Sequence, residues 1–417
     1  MTELKKTHVS IGRCRICGNT NLQTVLDLGD MSVTGIFPRT EEDEVPIGPL
    51  TLVKCNGEKS CGLVQLKDTF EPGILYGSNY GYSSALNKSM VQHLRNIVQY
   101  CKSFVSLSKK DLIIDIGSND GTLLSFFPKN SYTLLGVDPT ANKFIESYRD
   151  DIHVLSDFFS EDKIREIFPK EKAKVISSIA MFYDLDEPVK FARDVNSLLD
   201  DRGIWVLEQS YCNTMIKNSS YDTICHEHLE YYNLKQIKWI LDEIGMKIIS
   251  IRFNDVNGGS FQVIAAKKSH PSPEITEEIE KILQQEQSVE NDLMTFEKFK
   301  TDIEDHKKAL ITLLRTTLKG KTVFGYGAST KGNVILQYVG LTAQDIPYIM
   351  EINPDKFGRV TPGTHIPIIS DDEARRKPPD YFLVLPWHFK DTILKKETFY
   401  RTHGTRFIFP LPTIEIV

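Results

Sequence analysis

The sequence lacks the features that mark membrane, secreted and nucleic-acid-tracking proteins. It contains no apolar run of about 18 residues, and its first residues, MTELKKTHVS, include no apolar segment typical of a secretory signal. It also has no long basic run, and its net charge is −6, whereas proteins that follow a phosphate backbone usually cluster Lys and Arg. We therefore expect a cytoplasmic protein that has neither a membrane nor a nucleic acid as partner.

The sequence also lacks the even cysteine count of a disulfide framework, because it has seven cysteines. Four of them form two pairs near the amino terminus, Cys14 with Cys17 and Cys55 with Cys61. Two thiolate pairs on tight turns suit a tetrahedral, structural zinc ion. The second pair is spaced more widely than usual zinc ligands, so four buried free thiols remain the alternative.

The order of apolar segments predicts the fold class. The short runs DLIIDIG, TLLGVD, KVISSIA and GIWVLEQ alternate with stretches of helical character, which is typical of buried parallel strands. After a Glu- and Lys-rich stretch, the same rhythm resumes at KTVFGYG. We predict a doubly wound α/β core with a second α/β domain behind it and a zinc-binding domain in front. The predicted boundaries are 1–72 for the zinc-binding domain, 73–268 for the core, 269–318 for an exposed helical spacer and 319–417 for the last domain.

A glycine turn follows the first strand of the predicted core. The segment Asp115-Ile-Gly117-Ser118-Asn119 resembles motif I of the class I methyltransferases that use S-adenosylmethionine (SAM), although the full G-x-G-x-x-G spacing is missing. Asp138 ends the next strand, where a ribose-binding acid belongs in such folds, and Asp157 and Phe158 follow where that family contacts adenine. We place Pro139 and Ala180 in the same cofactor pocket. A nicotinamide site or a purely structural turn remains the alternative.

A cluster of titratable residues follows the strand WVLEQSY. It reads Cys225-His226-Glu227-His228, and it lies where parallel α/β sheets form their sites. The cluster lacks the H-E-x-x-H spacing of a zinc protease. Because histidine titrates near neutral pH and a carboxylate tunes it, an acid/base role is favoured over metal binding. A plain surface loop is the alternative.

A second glycine turn follows the strand KTVF. This turn and the start of the helix after it contain Gly327, Ser329, Lys331 and Asn333. Backbone amides at a helix start together with a lysine suit a phosphate or diphosphate. A structural glycine turn is the alternative.

The combination CRIC…CGLVQL, IGSNDGTLL, HEHLEYYNL, NGGSFQV, GYGASTKGNVIL and PGTHIPI resembles, over essentially the whole chain, the three-domain sugar C-methyltransferase family. The resemblance implies a zinc-binding domain, a SAM domain and a carboxyl-terminal domain that helps to hold a nucleotide-linked keto-sugar. It implies that His228 removes the proton next to the ketone and that Glu227 orients or assists it. It also implies that an aromatic segment, here Tyr80 and Tyr82, closes over the site. Aromatic packing before a helix is the alternative for these two residues.

Several positions depart from the family pattern. Cys225 stands where tyrosine is usual, Asp184 and Asn257 stand where histidine is usual, and His388 stands where asparagine is common. We include Asp184 and Gly259 among the substrate-binding residues, and His226 and Cys225 among the catalytic ones. The departures leave two alternatives to C-methylation, namely O-methylation of a sugar or sugar phosphate and a non-catalytic protein that binds SAM or a nucleotide sugar. We expect a monomer or a weak homodimer.

Overall fold

The computed structural model describes residues 8–40, 42–77, 82–290 and 293–417. The amino-terminal part consists of short strands and one helical turn: β1 (His8–Ser10), β2 (Leu22–Ser32), β3 (Ile47–Cys55), β4 (Val64–Leu66), β5 (Asp68–Phe70) and α1 (Pro72–Leu75). Strands β2, β3 and β4 pair antiparallel, while β1 pairs with β5. This small sheet positions the cysteine pairs at the end of β3 and in the loops beside it.

The central part is a seven-stranded sheet with helices on both faces. Its elements are α2 (Lys88–Cys101), β6 (Leu112–Ile116), β7 (Thr133–Val137), β8 (Ile152–Leu155), α3 (Glu161–Ile167), β9 (Ala173–Ile179), α4 (Pro188–Leu198), β10 (Leu199–Ser210), α5 (Cys212–Lys217), β11 (Glu230–Tyr231), α6 (Leu234–Glu243), β12 (Met246–Asn254) and β13 (Ser260–Lys267). The strand order is β12-β13-β10-β9-β6-β7-β8, and β13 runs antiparallel to both of its neighbours. Strand β11 lies outside this sheet and pairs with β4 of the amino-terminal sheet.

The central strands are buried on both faces because helices cover each side. Ile114 of β6 packs in one core with α4 and α6, whereas Ile113 packs in the other core with α2. Helix α2 presents an apolar face to this second core, and Asn87 caps it by accepting a hydrogen bond from Ser89 N at 3.0 Å. The continuous apolar runs in the sequence are therefore the buried parallel strands of a doubly wound sheet.

Two helices, α7 (Thr276–Glu290) and α8 (Leu293–Thr312), connect the central sheet to the last one. We predicted exposed spacer helices, but these helices also bury side chains. Glu286 of α7 is completely buried and accepts hydrogen bonds from Tyr211 Oη at 2.9 Å and from the backbone N–H of Leu234 at 2.8 Å. Phe299 of α8 is 1% exposed. The composition of the segment concealed these contacts because apolar and buried residues are sparse in it.

The carboxyl-terminal part is a second open sheet. Its elements are β14 (Val323–Tyr326), α9 (Thr330–Val339), β15 (Ile349–Glu351), β16 (Ile368–Ser370), α10 (Asp371–Arg376), β17 (Tyr381–Val384), α11 (Lys390–Lys396), α12 (Thr398–Thr402), β18 (Arg406–Phe409) and β19 (Glu415–Ile416). The order is β16-β15-β14-β17-β18-β19, parallel except for β19. The predicted fold class is confirmed, while the predicted domain boundaries stay predictions. Among the described residues, none of the helices is both long and apolar enough to cross a membrane.

Candidate active site

The four amino-terminal cysteines form one cluster. Their Sγ atoms all lie within 4.8 Å of one another, and Cys14 Sγ is 3.5 Å from Cys61 Sγ, as Cys17 Sγ is from Cys55 Sγ. A tetrahedral zinc ion holds each sulfur at about 2.3 Å, which places sulfurs about 3.8 Å apart. The cluster therefore fits zinc bound by four thiolates, a closed set that leaves no position for catalysis.

The turn after β6 is held in a conformation that requires glycine. Gly117 has a φ of 72°, and a Cβ at this residue would lie 2.9 Å from the side chain of Met181. Asp115 is buried before the turn, where its Oδ1 accepts a hydrogen bond from Ser177 Oγ at 2.6 Å. Burial raises the pKa of Asp115 to about 7. The turn therefore presents backbone rather than side chain at the carboxyl edge of the sheet.

Asp138, which follows β7, fastens this turn. Its Oδ2 accepts a hydrogen bond from Asn119 N at 2.9 Å, and its Oδ1 accepts from Thr140 N at 2.7 Å. Asp138 is 8% exposed. Its Oδ1 also accepts from Thr140 Oγ1 at 2.6 Å, whereas Oδ2 keeps a further lone pair. The residue can therefore hold the turn and still accept a ribose hydroxyl.

The remaining predicted cofactor residues follow the neighbouring strands at the same edge. Pro139 and Ser118 follow β7 and β6, and Ala180 follows β9 with a φ of 54° and donates from its N–H to Glu208 O at 2.7 Å. Asp157 follows β8 and forms an ion pair of 2.7 Å with Lys163. Phe158 beside it is 45% exposed, which leaves an aromatic ring available at the rim.

Tyr148 contacts the same turn, and the sequence did not predict this contact. Its hydroxyl donates to Asn119 O at 2.8 Å, so the 2.8 Å contact with Ser118 Oγ must be donated by the serine. A Cβ at Gly121 would lie 2.7 Å from the Tyr148 ring, and one at Gly136 would lie 2.9 Å from it. These two glycines were the available signal, because each leaves room for a ring.

His228 has the tautomer that a general base needs. Its Nδ1 lies 2.9 Å from the carbonyl oxygen of Thr223, and because a carbonyl only accepts, Nδ1 carries the proton. Its Nε2 therefore keeps a free lone pair. Burial and then the nearby charge of Lys331 lower the pKa of His228 to about 3, so the ring is neutral at physiological pH. The ring lies against Tyr183, with centroids 4.4 Å apart.

The acidic neighbours of His228 are buried as well. Burial raises the pKa of Glu227 to about 7, and its Oε1 approaches the position that a Cβ at Gly35 would take. Burial and the charge of Glu227 raise the pKa of Asp184 well above its usual range. Burial likewise raises the pKa of the Cys225 thiol, which leaves it protonated at neutral pH.

Two of the three other predicted catalytic residues lie elsewhere. His226 is completely buried in the amino-terminal part, where its ring packs edge-on against Phe70 at 4.7 Å and its Nε2 lies 3.3 Å from Gly48 O. Burial lowers the pKa of His226 to about 4. Tyr82 is 45% exposed, and its carbonyl accepts from Asn119 Nδ2 at 3.0 Å. Tyr80 lies outside the described residues.

The carboxyl-terminal part brings Lys331 to the same site. Its Nζ donates to Asn257 O at 3.0 Å, and its charge lowers the pKa of both His228 and His388. Burial lowers the pKa of Lys331, and the charge of Asp222 opposes that effect. Lys331 Nζ thus lies between the His228 loop and the last sheet.

The other predicted substrate residues serve mainly to shape the backbone. Ser329 caps α9 by accepting from Gly332 N at 3.0 Å, and Asn333 is buried and donates to Thr34 O at 2.8 Å. Gly327 has a φ of 82°, and Gly259 has a φ of 121°. Of this group, Lys331 therefore has the clearest geometry for a ligand contact.

Three known domain families match successive parts of the chain, and the last match begins before β13 of the central sheet. A zinc binding domain matches residues 14–76, a methyltransferase domain matches residues 92–251, and a C-methyltransferase C-terminal domain matches residues 255–412. The chain is 29% identical to the C-methyltransferase NovU of Streptomyces niveus over 412 residues, which are 98% of this chain and 97% of that protein.

Two solved structures are similar to part of the chain. The CurJ carbon methyltransferase is 15% identical, with a TM-score of 0.35, and the match covers 44% of this chain and 57% of that one. The magnesium protoporphyrin IX methyltransferase of Synechocystis PCC 6803 is 12% identical, with a TM-score of 0.31 and coverage of 43% and 79%.

Proposed function

We propose that this chain, which is a three-domain C-methyltransferase dependent on SAM, methylates a carbon atom next to the ketone of a nucleotide-linked sugar. The observation that supports the proposal is the hydrogen bond between His228 Nδ1 and Thr223 O. It leaves Nε2 unprotonated in a half-buried, neutral ring, which is the state of a general base. A ketone acidifies the C–H bond beside it, so a base at this position has a suitable proton to remove.

In this proposal, the C–H bond next to the ketone breaks, its proton passes to His228 Nε2, and the electron pair delocalises onto the carbonyl oxygen. We assign to Lys331 the stabilisation of the negative charge that develops on this oxygen, because its own charge acts on the neighbouring His228 and lowers the pKa of that ring. Glu227, whose pKa is raised to about 7, can hold or release a proton at working pH. SAM supplies, when bound, the electrophilic methyl group. The residues that would hold it are Asp115, Gly117, Asn119, Asp138 and Phe158.

We assign different roles to the remaining predicted catalytic residues. His226 contributes packing to the amino-terminal part, since it contacts Phe70 and Gly48. Asp184 and Cys225, which replace the usual histidine and tyrosine, present protonated groups to the acceptor. We propose that Tyr82 lies at the rim of the donor pocket.

Exchange of hydrogen between substrate and solvent tests the proposal. The protein is incubated without SAM in deuterated water with a panel of nucleotide-linked keto-sugars, and deuterium beside the ketone is measured by NMR. We expect exchange with the wild type and none with His228→Ala. His226→Gln is the matched control, and it should retain exchange because that histidine packs against Phe70 and Gly48 in the amino-terminal part.

The alternatives give different outcomes in the same assay. Methyl transfer from labelled SAM without hydrogen exchange would show O-methylation and contradict the proposal. Binding of SAM without transfer to any sugar of the panel would support a non-catalytic binding protein.

A further inference from the structure

The strand that follows His228 belongs to the amino-terminal sheet. In β11, Glu230 pairs with Gln65, and Tyr231 pairs with Val64 of β4. The carbonyl of Leu229, next to His228, accepts a hydrogen bond from Leu66 N at 2.8 Å. The end of the His228 loop is therefore a strand of the sheet that carries the zinc ligands, although the sequence places it deep in the central part.

Arg15, which lies between the zinc ligands Cys14 and Cys17, reinforces this junction. Its Nη1 donates to Leu66 O at 2.7 Å, and its Nη2 donates to Thr69 Oγ1 at 2.7 Å. Its Nε lies 3.1 Å from Asp186 Oδ1 and 3.6 Å from Glu230 Oε1. The Arg15 side chain is only 2% exposed. The planar guanidinium thus reaches both sides of the junction at once, which a lysine could not do.

Glu230 is the partner that needs this arginine most. Its side chain is completely buried, and neither carboxylate oxygen has a hydrogen-bond partner within the described parts of the chain. It lines a small crevice together with His228, Tyr183 and Ser210. Burial raises the pKa of Glu230 well above its usual range, and the charge of Arg15, whose Nε lies 3.6 Å from Oε1, opposes that effect and favours the carboxylate.

We infer that Arg15 is a positioning residue, through which the zinc-binding turn fixes the loop that carries His228. The Cys14–Cys17 turn presents the guanidinium, the guanidinium fixes Glu230 and β4, and Glu230 fixes the loop two residues after the base. A zinc ion held by the four cysteines would stabilise this turn, and so the loop, without touching the reactants. The catalytic half of this inference rests on the proposed function, whereas the structural half does not.

Amide hydrogen–deuterium exchange followed by mass spectrometry tests the structural half. In Arg15→Ala, peptides that cover residues 223–232 should exchange faster, by about tenfold, because opening of β11 from β4 becomes easier. Peptides that cover residues 113–121 should be unchanged. Arg13→Ala is the matched control, because Arg13 flanks the same zinc ligand but is exposed. Arg15→Lys keeps the positive charge but loses the planar set of N–H donors, so its exchange rate at residues 223–232 should lie between those of the wild type and Arg15→Ala.

Substrate hydrogen exchange and ligand affinity test the catalytic half in the same variants. Arg15→Ala should slow exchange of the keto-sugar hydrogen about tenfold, while zinc content and the Kd for S-adenosylhomocysteine stay at the wild-type values. Unchanged protection of residues 223–232 in Arg15→Ala, or equal effects of Arg13→Ala, would overturn the inference. Arg15→Ala could lose protection because it loses zinc, and Arg15→Lys tests this possibility. If Arg15→Lys retained zinc and also had the protection of the wild type, the inference would be overturned. Absence of substrate exchange in the wild type would count against the proposed function instead, because the amide measurement does not depend on it.

Discussion

The central and carboxyl-terminal sheets contain the same glycine turn at the same place. In the central sheet, Gly117 N donates to Val137 O at 2.8 Å; in the last sheet, Gly327 N donates to Met350 O at 2.8 Å. Both glycines have a positive φ. Both sheets also continue in the same strand order, with an antiparallel strand beyond the fifth parallel one. One backbone arrangement therefore occurs twice in this chain.

An acid at the end of the second strand fastens each turn. Asp138 accepts from Asn119 N at 2.9 Å, and Glu351 accepts from Ala328 N at 2.7 Å. The two turns differ in the side chains that contact them. Lys356 Nζ donates to Ala328 O at 2.6 Å in the last sheet, whereas Tyr148 holds the central one. A glycine turn with its acid is therefore a property of the fold, and the surrounding side chains decide what it binds.

The largest expected difference between the turns concerns SAM. Asp138→Asn should weaken binding of S-adenosylhomocysteine by about 10- to 100-fold, because the charged hydrogen bond that we propose between Asp138 and a ribose hydroxyl is lost. Glu351→Gln should change that Kd by less than about twofold, because its carboxylate serves the turn of the other sheet. Isothermal titration calorimetry measures both. Equal weakening by the two substitutions would show that the turns do not divide their tasks in this way.

A smaller effect should separate the acceptor from the donor. Lys331→Met removes the cation that the carboxyl-terminal turn contributes, so the KM for the nucleotide sugar should rise about tenfold. The Kd for S-adenosylhomocysteine should stay constant. Steady-state kinetics with the sugar varied provides the test, and Lys321→Met, an exposed lysine just before β14, is the control. An unchanged KM would remove Lys331 from the acceptor site.

The pH dependence should identify which group titrates beside His228. The pKa of His228 is lowered to about 3, so its imidazole stays unprotonated from pH 8 down to pH 5 and cannot change the rate there. Glu227, with a pKa raised to about 7, gains a proton as the pH falls through that value. The rate of substrate hydrogen exchange should therefore change a few-fold near pH 7, and Glu227→Gln should abolish this change. A transition at the ordinary histidine value in both proteins would contradict the assignment.

The smallest expected effect concerns how the central turn is held. Tyr148→Phe removes the hydrogen bonds to Asn119 O and Ser118 Oγ but keeps the ring over Gly121 and Gly136. We expect the free energy of unfolding to fall by about 1 kcal/mol, measured by urea denaturation. Tyr148→Ala should cost more, because the ring also fills space. If Tyr148→Phe were neutral, the ring alone would hold the turn.

The sequence predicted the parts of this molecule that local patterns encode. The alternation of strands and helices, the four cysteines and the turn at Gly117 all lie in short segments whose residue types follow from their conformation or chemistry. Arg15 and Glu230 escaped prediction because their contact joins β11 to β4 across the chain, and no periodicity marks a two-residue strand. Tyr148 escaped because its role depends on the space above two glycines. The position of His226 relative to His228 also required the folded loop.

The buried Glu286 determines how short a fragment of the central part can be. A fragment that ended at residue 268 would retain α6 but lose the carboxylate that pairs with the N–H of Leu234 and the hydroxyl of Tyr211. It would also expose the surface that Ile279 and Ile282 cover. We therefore expect that the smallest fragment in which the central sheet folds extends through α7. Helix α7 belongs to the core of the central sheet as well as connecting the two sheets.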